Sequence, residues 1–147
     1  MPHTFSKNYI HVVFSTKNRY KIIPKNMQAR LWAYMASIGR NHGMVISEIG
    51  GIEDHVHLLF HLPPRLALER AVTLFKSNSS KWMNKSGKKF AWQEGYGAFS
   101  VSASNLAAVV KYIQNQERHH QKISFENEFL ALLKKHGVNF DPNHVFD

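Results

Sequence analysis

Cysteine is absent from the 147 residues, which removes disulfides, thiolate metal sites and a thiol nucleophile together. No apolar run approaches the ~20 residues of a bilayer-spanning helix. The opening Met-Pro-His-Thr-Phe-Ser-Lys does not read as a signal peptide, so a cytoplasmic protein with no membrane partner is expected. Internal repeats, low-complexity tracts and linker-like stretches are also missing. Acidic residues are scarce, 10 against 19 Lys and Arg, giving a formal charge of +9 and an isoelectric point near 9.9. An excess of this size in a small domain favours a polyanionic partner, nucleic acid before membrane surface. At 44% hydrophobic and 12% aromatic, the chain can bury one real core, so residues 1–147 read as a single domain.

Apolar periodicity sets the elements. Residues 8–15 (Asn-Tyr-Ile-His-Val-Val-Phe-Ser) are β-branched and aromatic, a first strand. The basic turn Thr16-Lys17-Asn18-Arg19-Tyr20-Lys21 follows, suited to phosphates and an unstacked base or to a plain solvated loop. Pro24 opens a helix to about Asn41, with Met27, Leu31, Tyr34, Met35 and Ile38 on its apolar face and Gly43 closing it. Met44 to Gly50 alternates as a second strand, and Gly50-Gly51 reads as the hairpin turn into a third.

Pro63-Pro64 ends that third strand, and a helix is expected from Leu66 to about Asn84. Within it, Lys76-Ser77-Asn78-Ser79-Ser80-Lys81 is poor helix material and reads either as a break or as a phosphate contact. From Lys88 to Val101 an aromatic, glycine-rich stretch bends at Gly95–Gly97 into a fourth strand. Ser102 or Ser104 then caps a helix whose buried side is Leu106, Val109, Val110 and Ile113. Phe125, Phe129, Leu130, Leu132 and Leu133 mark a last helix closed by Gly137, and residues 138–147 read as a tail. The order β-α-β-β-α-β-α-α implies an α+β domain, an antiparallel sheet with helices packed on one face, ferredoxin- or RRM-like.

The third strand carries the most informative pattern, Glu53-Asp54-His55-Val56-His57-Leu58-Leu59-Phe60-His61. Side chains alternate along a strand, so His55, His57 and His61 share a face while Val56, Leu58 and Phe60 face the core. Two imidazoles roughly 6–7 Å apart at the backbone can converge on one divalent ion; three histidines on the polar face of an edge strand is the plain alternative. Asp54 falls on the opposite face and reads as a turn or supporting residue. Tyr112 and Gln116 are four apart, one above the other on a helix. His119 and His120 fall near that helix's end and read as end-capping groups, with DNA contact or proton transfer as alternatives.

Asp54-His55-Val56-His57-Leu58-Leu59 matches the His-hydrophobic-His motif of the HUH nucleases. The run Trp92-Gln93-x-Gly95-Tyr96, then Phe99-Ser100-Val101-Ser102, then Tyr112-Ile113-x-Asn115-Gln116-x-x-His119-His120 with Phe125 and Glu128, resembles the single-tyrosine, TnpA-like transposases of insertion sequences that move as single-stranded DNA. The likeness spans about residues 8–138. It implies Tyr112 as nucleophile, and His55, His57 and Gln116 as ligands of Mg2+ or Mn2+, although two nitrogens are an unusual set for Mg2+. It implies a 5′-phosphotyrosine intermediate and rejoining without ATP. It also implies a nucleoid-associated homodimer acting on hairpins at element ends, with the aromatic first strand as an edge for pairing.

Lys17, Arg19, Lys76, Lys81 and Lys111 are the candidate DNA contacts. The competing readings are a larger replication-initiator or relaxase-type relative, a domesticated transposase acting on extragenic palindromes, and a non-catalytic RRM-like single-strand binder.

Overall fold

The computed structural model describes residues 3–85, 87 and 89–147. Met1 and Pro2 of the opening segment, and Lys88 at the head of the aromatic stretch, lie outside the described residues. The chain runs β1 (Tyr9–Ser15), α1 (Lys25–Asn41), β2 (Val45–Ile52), β3 (His55–His61), α2 (Leu68–Asn84), β4 (Gly97–Val101), α3 (Leu106–Gln114), α4 (Gln116–His119) and α5 (Phe125–Lys135). The strands form one antiparallel sheet in the order β2-β3-β1-β4, the α+β architecture that the periodicity implies.

Strand alternation divides the sheet into two chemistries. Ile10, Val12 and Phe14 of β1 and Val56, Leu58 and Phe60 of β3 enter one core, where α1 (Leu31, Met35, Ile38) and α2 (Ala71, Val72, Leu74, Phe75) cover them. The other face presents His11, Val13, His55, His57 and Leu59, and the C-terminal helices close over it. Ile113 of α3 packs on Leu59 and Val101. Phe125, Phe129 and Leu133 of α5 pack on Val13 and Phe99, at about 2 kcal/mol for each buried side chain. Between these two apolar patches the histidines sit enclosed.

Four expectations change. Gly50 and Gly51 lie inside β2, and the turn is formed by Glu53 and Asp54. The two glycines serve close approach instead: a Cβ on Gly50 would stand 3.0 Å from Ile113, and one on Gly51 would stand 2.2 Å from the His55 carbonyl. β1 is no edge, because β3 and β4 flank it and its residues from Ile10 onward are buried; a run apolar on both faces suits the middle of a sheet. For the same reason β3 is not the polar edge strand of the plain alternative: His55 and His57 are both 0% exposed.

The Lys76–Lys81 cluster, third, does not break α2. Ser77, Asn78 and Ser79 turn their side chains back onto the carbonyls of Thr73, Leu74 and Phe75 within the same helix, a bond the helix tolerates. The tail, fourth, is packed: Phe140, Val145 and Phe146 join the α5 cluster, and the Arg19 guanidinium lies 4.9 Å from the Phe146 ring centre.

The Trp92-Gln93 pair fastens the end of β1. The Gln93 amide oxygen accepts from the Ser15 backbone N–H and its own backbone N–H donates to the Ser15 carbonyl, while Trp92 donates to Ser79 Oγ at 2.9 Å and meets Phe14 edge-on. Ser102 starts a 3-10 turn before α3, and its hydroxyl pairs with that of Ser104 at 3.1 Å rather than capping the helix. Ser124 does cap, accepting from the Asn127 N–H ahead of α5.

Candidate active site

β3 supplies two imidazoles whose Nδ1 atoms are already occupied. His55 Nδ1 meets Asp54 Oδ1 at 2.7 Å, so Asp54 is both the turn residue and a support for the His55 ring. His57 Nδ1 meets His11 Nε2 at 2.8 Å; His11 pairs with Leu59 across β1 and β3 and reaches His57 diagonally. With each Nδ1 held, both Nε2 atoms point at the helices above. Anchored rings of this kind are the usual setting of metal-binding histidine.

Opposite them stand Tyr112 and Gln116. The helix expected to carry both is interrupted at Asn115, yet the two remain one turn apart and face the same centre. Gln116 Oε1 lies 2.8 Å from His55 Nε2. Glu128, from α5, joins everything. Its Oε1 is 3.1 Å from His57 Nε2, 3.3 Å from His55 Nε2 and 3.1 Å from His120 Nε2. Its Oε2 accepts from the Tyr112 hydroxyl and, at 2.9 Å, from Gln116 Nε2, and lies 3.5 Å from His119 Nε2.

Sequence reasoning quotes Glu128 without giving it a role and assigns His119 and His120 to helix capping; the structure turns all three inward. Glu128 is three residues after Phe125 and one before Phe129, on the buried side of an amphipathic helix. A carboxylate in that position is the signal available in the sequence.

Electrostatics follow from the burial. Glu128 loses hydration on burial, which alone would raise its pKa, but hydrogen bonds from His120, His55 and His57 hold the carboxyl well below the usual range. His55 likewise pays for burial, and Asp54 and Glu128 outweigh that, pulling its pKa up to about 9. Burial pushes His57 and His11 down. Burial, followed by the charge of Glu128 and the hydrogen bond to it, raises the Tyr112 phenol well above its ordinary value. In this arrangement the phenol is neutral.

The donor set suits a divalent cation. Ligand atoms of His55, His57 and Glu128 lie within 4.8 Å of one another in a fully buried trio, and Gln116 Oε1 is adjacent. The Nε2 atoms of His55 and His57 stand beside Glu128 Oε1, and His55 Nε2 also beside Gln116 Oε1, so the nitrogen and oxygen atoms that could hold a cation already converge on one point. Two imidazoles and a carboxylate match the ligand preferences of first-row divalent ions.

The proposed DNA contacts scatter. Lys17 and Arg19 flank a 3-10 turn at the end of β1, where Asn18 and Arg19 hold left-handed φ values of 53° and 59°. Lys76 serves the fold instead. Its ammonium donates to the carbonyls of Gln93, Glu94 and Gly95 at 2.8–3.0 Å, so it clamps the loop before β4 rather than standing free for a phosphate. Lys81 is exposed on α2, the helix covering the sheet face away from Tyr112. Lys111 is exposed on α3 beside the tyrosine. Two further cations lie nearer the histidines: Lys21 of the basic turn and Lys25 line a cleft that reaches His120, and Lys21 shares a second cleft with Arg19 and Asp54.

The chain is similar to known proteins in both sequence and fold. Over 114 residues the chain is 25% identical to the ISDra2 transposase TnpA of Deinococcus radiodurans, covering 72% of this chain and 81% of that protein. A crystal structure from Deinococcus radiodurans assigned as a transposase superposes with a TM-score of 0.64 at 22% identity, over 79% of this chain and 95% of that one. A REP-associated tyrosine transposase bound to a REP hairpin gives 0.63 at 14% identity, over 84% of this chain and 74% of that one. Residues 4–116 match the family described as IS200-like transposase, a span that holds the strands, both β3 histidines, Tyr112 and Gln116, and the chain belongs to that family.

Proposed function

We propose that this transposase cuts and rejoins single-stranded DNA through a covalent 5′-phosphotyrosine at Tyr112, using a divalent metal and no ATP. The observation that carries the reading is the shared carboxylate: the Tyr112 hydroxyl and two strand-borne imidazoles meet on Glu128. A purely binding module has no need of a phenol, a carboxylate and a buried ligand pair at one point. His55, His57 and Glu128, with Gln116 beside them, would hold the ion. When bound there, a Mg2+ or Mn2+ ion would polarise the scissile phosphate and offset charge on the departing oxygen.

The residues do the rest. A cavity of about 280 Å³ lined by His11, Ser100, Asn105, Tyr112 and Lys135 gives the phenol access to substrate. As its oxygen bonds to phosphorus, the bond from phosphorus to the 3′-oxygen breaks and a 3′-hydroxyl is released. Glu128 accepts the hydrogen bond of the phenol and so fixes where its oxygen stands. The phosphotyrosine keeps the phosphodiester energy, so a second 3′-hydroxyl can reverse the step. Arg19, Lys21 and Lys25 supply the positive edge along which the strand would lie. A hairpin-bearing DNA, a homodimer and a cytoplasmic, nucleoid-associated setting complete the proposal. Action on extragenic palindromes would use the same chemistry and differ only in substrate.

The test is a denaturing gel of the protein with single-stranded DNA from the flanks of its own gene, in Mg2+ or Mn2+ and in EDTA. A DNA–protein adduct that needs metal and disappears in Tyr112→Phe supports the reading. DNA binding on a native gel with no adduct under any condition would leave a binding protein.

A further inference from the structure

The cavity beside Tyr112 is more than a passage to the phenol. Tyr112 and His11 line it, and none of His55, His57, Gln116 or Glu128 does. It therefore lies to one side of the phenol, away from the buried ligand cluster. Val101, Val109 and Leu132 give it apolar walls, while Asn105 and Lys135, both exposed, give it a polar rim. On the same rim the His136 ring rests on the Phe99 ring, centroids 4.4 Å apart and planes 19° apart, so its flat imidazole is held in place.

His11 is the buried polar group of this cavity. It is 3% exposed and uses one ring nitrogen, Nε2, on His57 Nδ1 at 2.8 Å. Its other nitrogen has no hydrogen bond among the described residues, although the ring borders the cavity. Buried polar atoms are ordinarily matched, and the cavity is the side from which a partner can come.

Apolar walls with a few polar atoms at floor and rim suit a nucleobase, which is flat and apolar on its faces and hydrogen-bonding at its edges. Lys135 at the rim suits the charged backbone to which such a base is joined. The volume, about 280 Å³, is at the small end for a ligand pocket. It has room for one nucleotide and none for a base pair. Stereochemistry then chooses the nucleotide. Attacking and leaving oxygens stand roughly in line on opposite sides of phosphorus, so the nucleotide that departs with the 3′-hydroxyl is directed away from Tyr112. Its downstream neighbour stays bonded to phosphorus and remains beside the phenol.

We propose that this cavity is a slot for the base of that retained, downstream nucleotide, and that it admits the base only unpaired. Resting on the proposed function, the slot specifies which part of the strand is held at Tyr112 and gives the protein its own means of refusing duplex.

The test is the single-turnover rate of adduct formation on single-stranded DNA from the flanks of the gene, with the cleaved bond mapped first. An abasic residue immediately downstream of that bond should slow wild type by about tenfold or more at limiting DNA, since stacking is lost. Ala108→Phe, at an exposed position lining the cavity, fills the slot. It should slow the intact strand to a similar degree, chiefly through weaker strand binding, and should erase the difference between intact and abasic strands. Ala107→Phe, exposed on the same helix and outside the cavity, should behave as wild type. Equal rates on intact and abasic strands in wild type, or an abasic penalty that survives Ala108→Phe, would overturn the slot, while the adduct itself leaves the proposed function standing. No adduct from wild type on any flanking strand overturns both.

Discussion

The two faces of β3 share one backbone and differ in everything else. Val56, Leu58 and Phe60 join the apolar cluster under α1 and α2, where energy is spread over many small contacts. His55 and His57, alternating with them in sequence, meet Asp54, His11, Gln116 and Glu128, where a few polar atoms hold the arrangement and Glu128 is shared among several of them. Errors on the first face should cost stability in proportion to volume. Errors on the second should cost chemistry out of proportion to the atoms changed.

The sharpest break between the faces is Tyr112→Phe. It removes one oxygen and should lower adduct formation by roughly 10³-fold or more, about 4 kcal/mol of barrier, with the melting temperature of the protein nearly unchanged. Quantified adduct on a denaturing gel beside a thermal melt makes the comparison. Leu58→Ala is its mirror image: about 2–5 kcal/mol of stability lost to transfer and cavity terms, read by denaturant unfolding, with the adduct yield per folded molecule preserved. A comparable loss of yield would mean that the faces are coupled.

Acidity gives a third test, on metal-free protein. His55 has its pKa raised to about 9 from an unfolded value near 6.5, so it contributes stability that is fully present below pH 6.5. That contribution is lost as pH rises through about 9, roughly 3 kcal/mol at most. Urea unfolding in EDTA at pH 6 and pH 9.5 should show the decline, and His55→Asn should flatten it. The smallest effect is expected from Lys76→Met, which deletes three hydrogen bonds to the 93–95 loop at about 1–2 kcal/mol. Amide exchange in that loop should quicken, and DNA affinity should hold; a large loss of affinity would return Lys76 to the DNA surface.

Local patterns in the sequence carry much of this arrangement. Alternation around Val56, Leu58 and Phe60 locates the strand and the face of its histidines, and the four-residue step places Tyr112 above Gln116. Legibility ends wherever a role depends on which elements pack together. The nearly continuous apolar run of β1 hints at the middle of a sheet, but what buries its second face is helices near the other end of the chain, which no local pattern names. Lys76 looks like any surface cation because its partners are backbone carbonyls, which have no sequence signature. Glu128 and His120 acquire meaning only once α5 folds back over β3.

Two absent side chains set how well the Tyr112 phenol and the Glu128 carboxylate line up. Gly50 lies under Ile113, the neighbour of Tyr112, and Gly97 lies under Phe129, the neighbour of Glu128, where an added Cβ would come within 2.9 Å of the ring. The helix bearing Tyr112 and the helix bearing Glu128 are thus each seated directly on backbone, like two parts of an instrument clamped to one baseplate. A single methyl at either seat would tilt its helix by a few tenths of an ångström. Such a lesion would resemble wear in a hinge: a protein that folds, binds its ligands, and keeps its phenol slightly out of true.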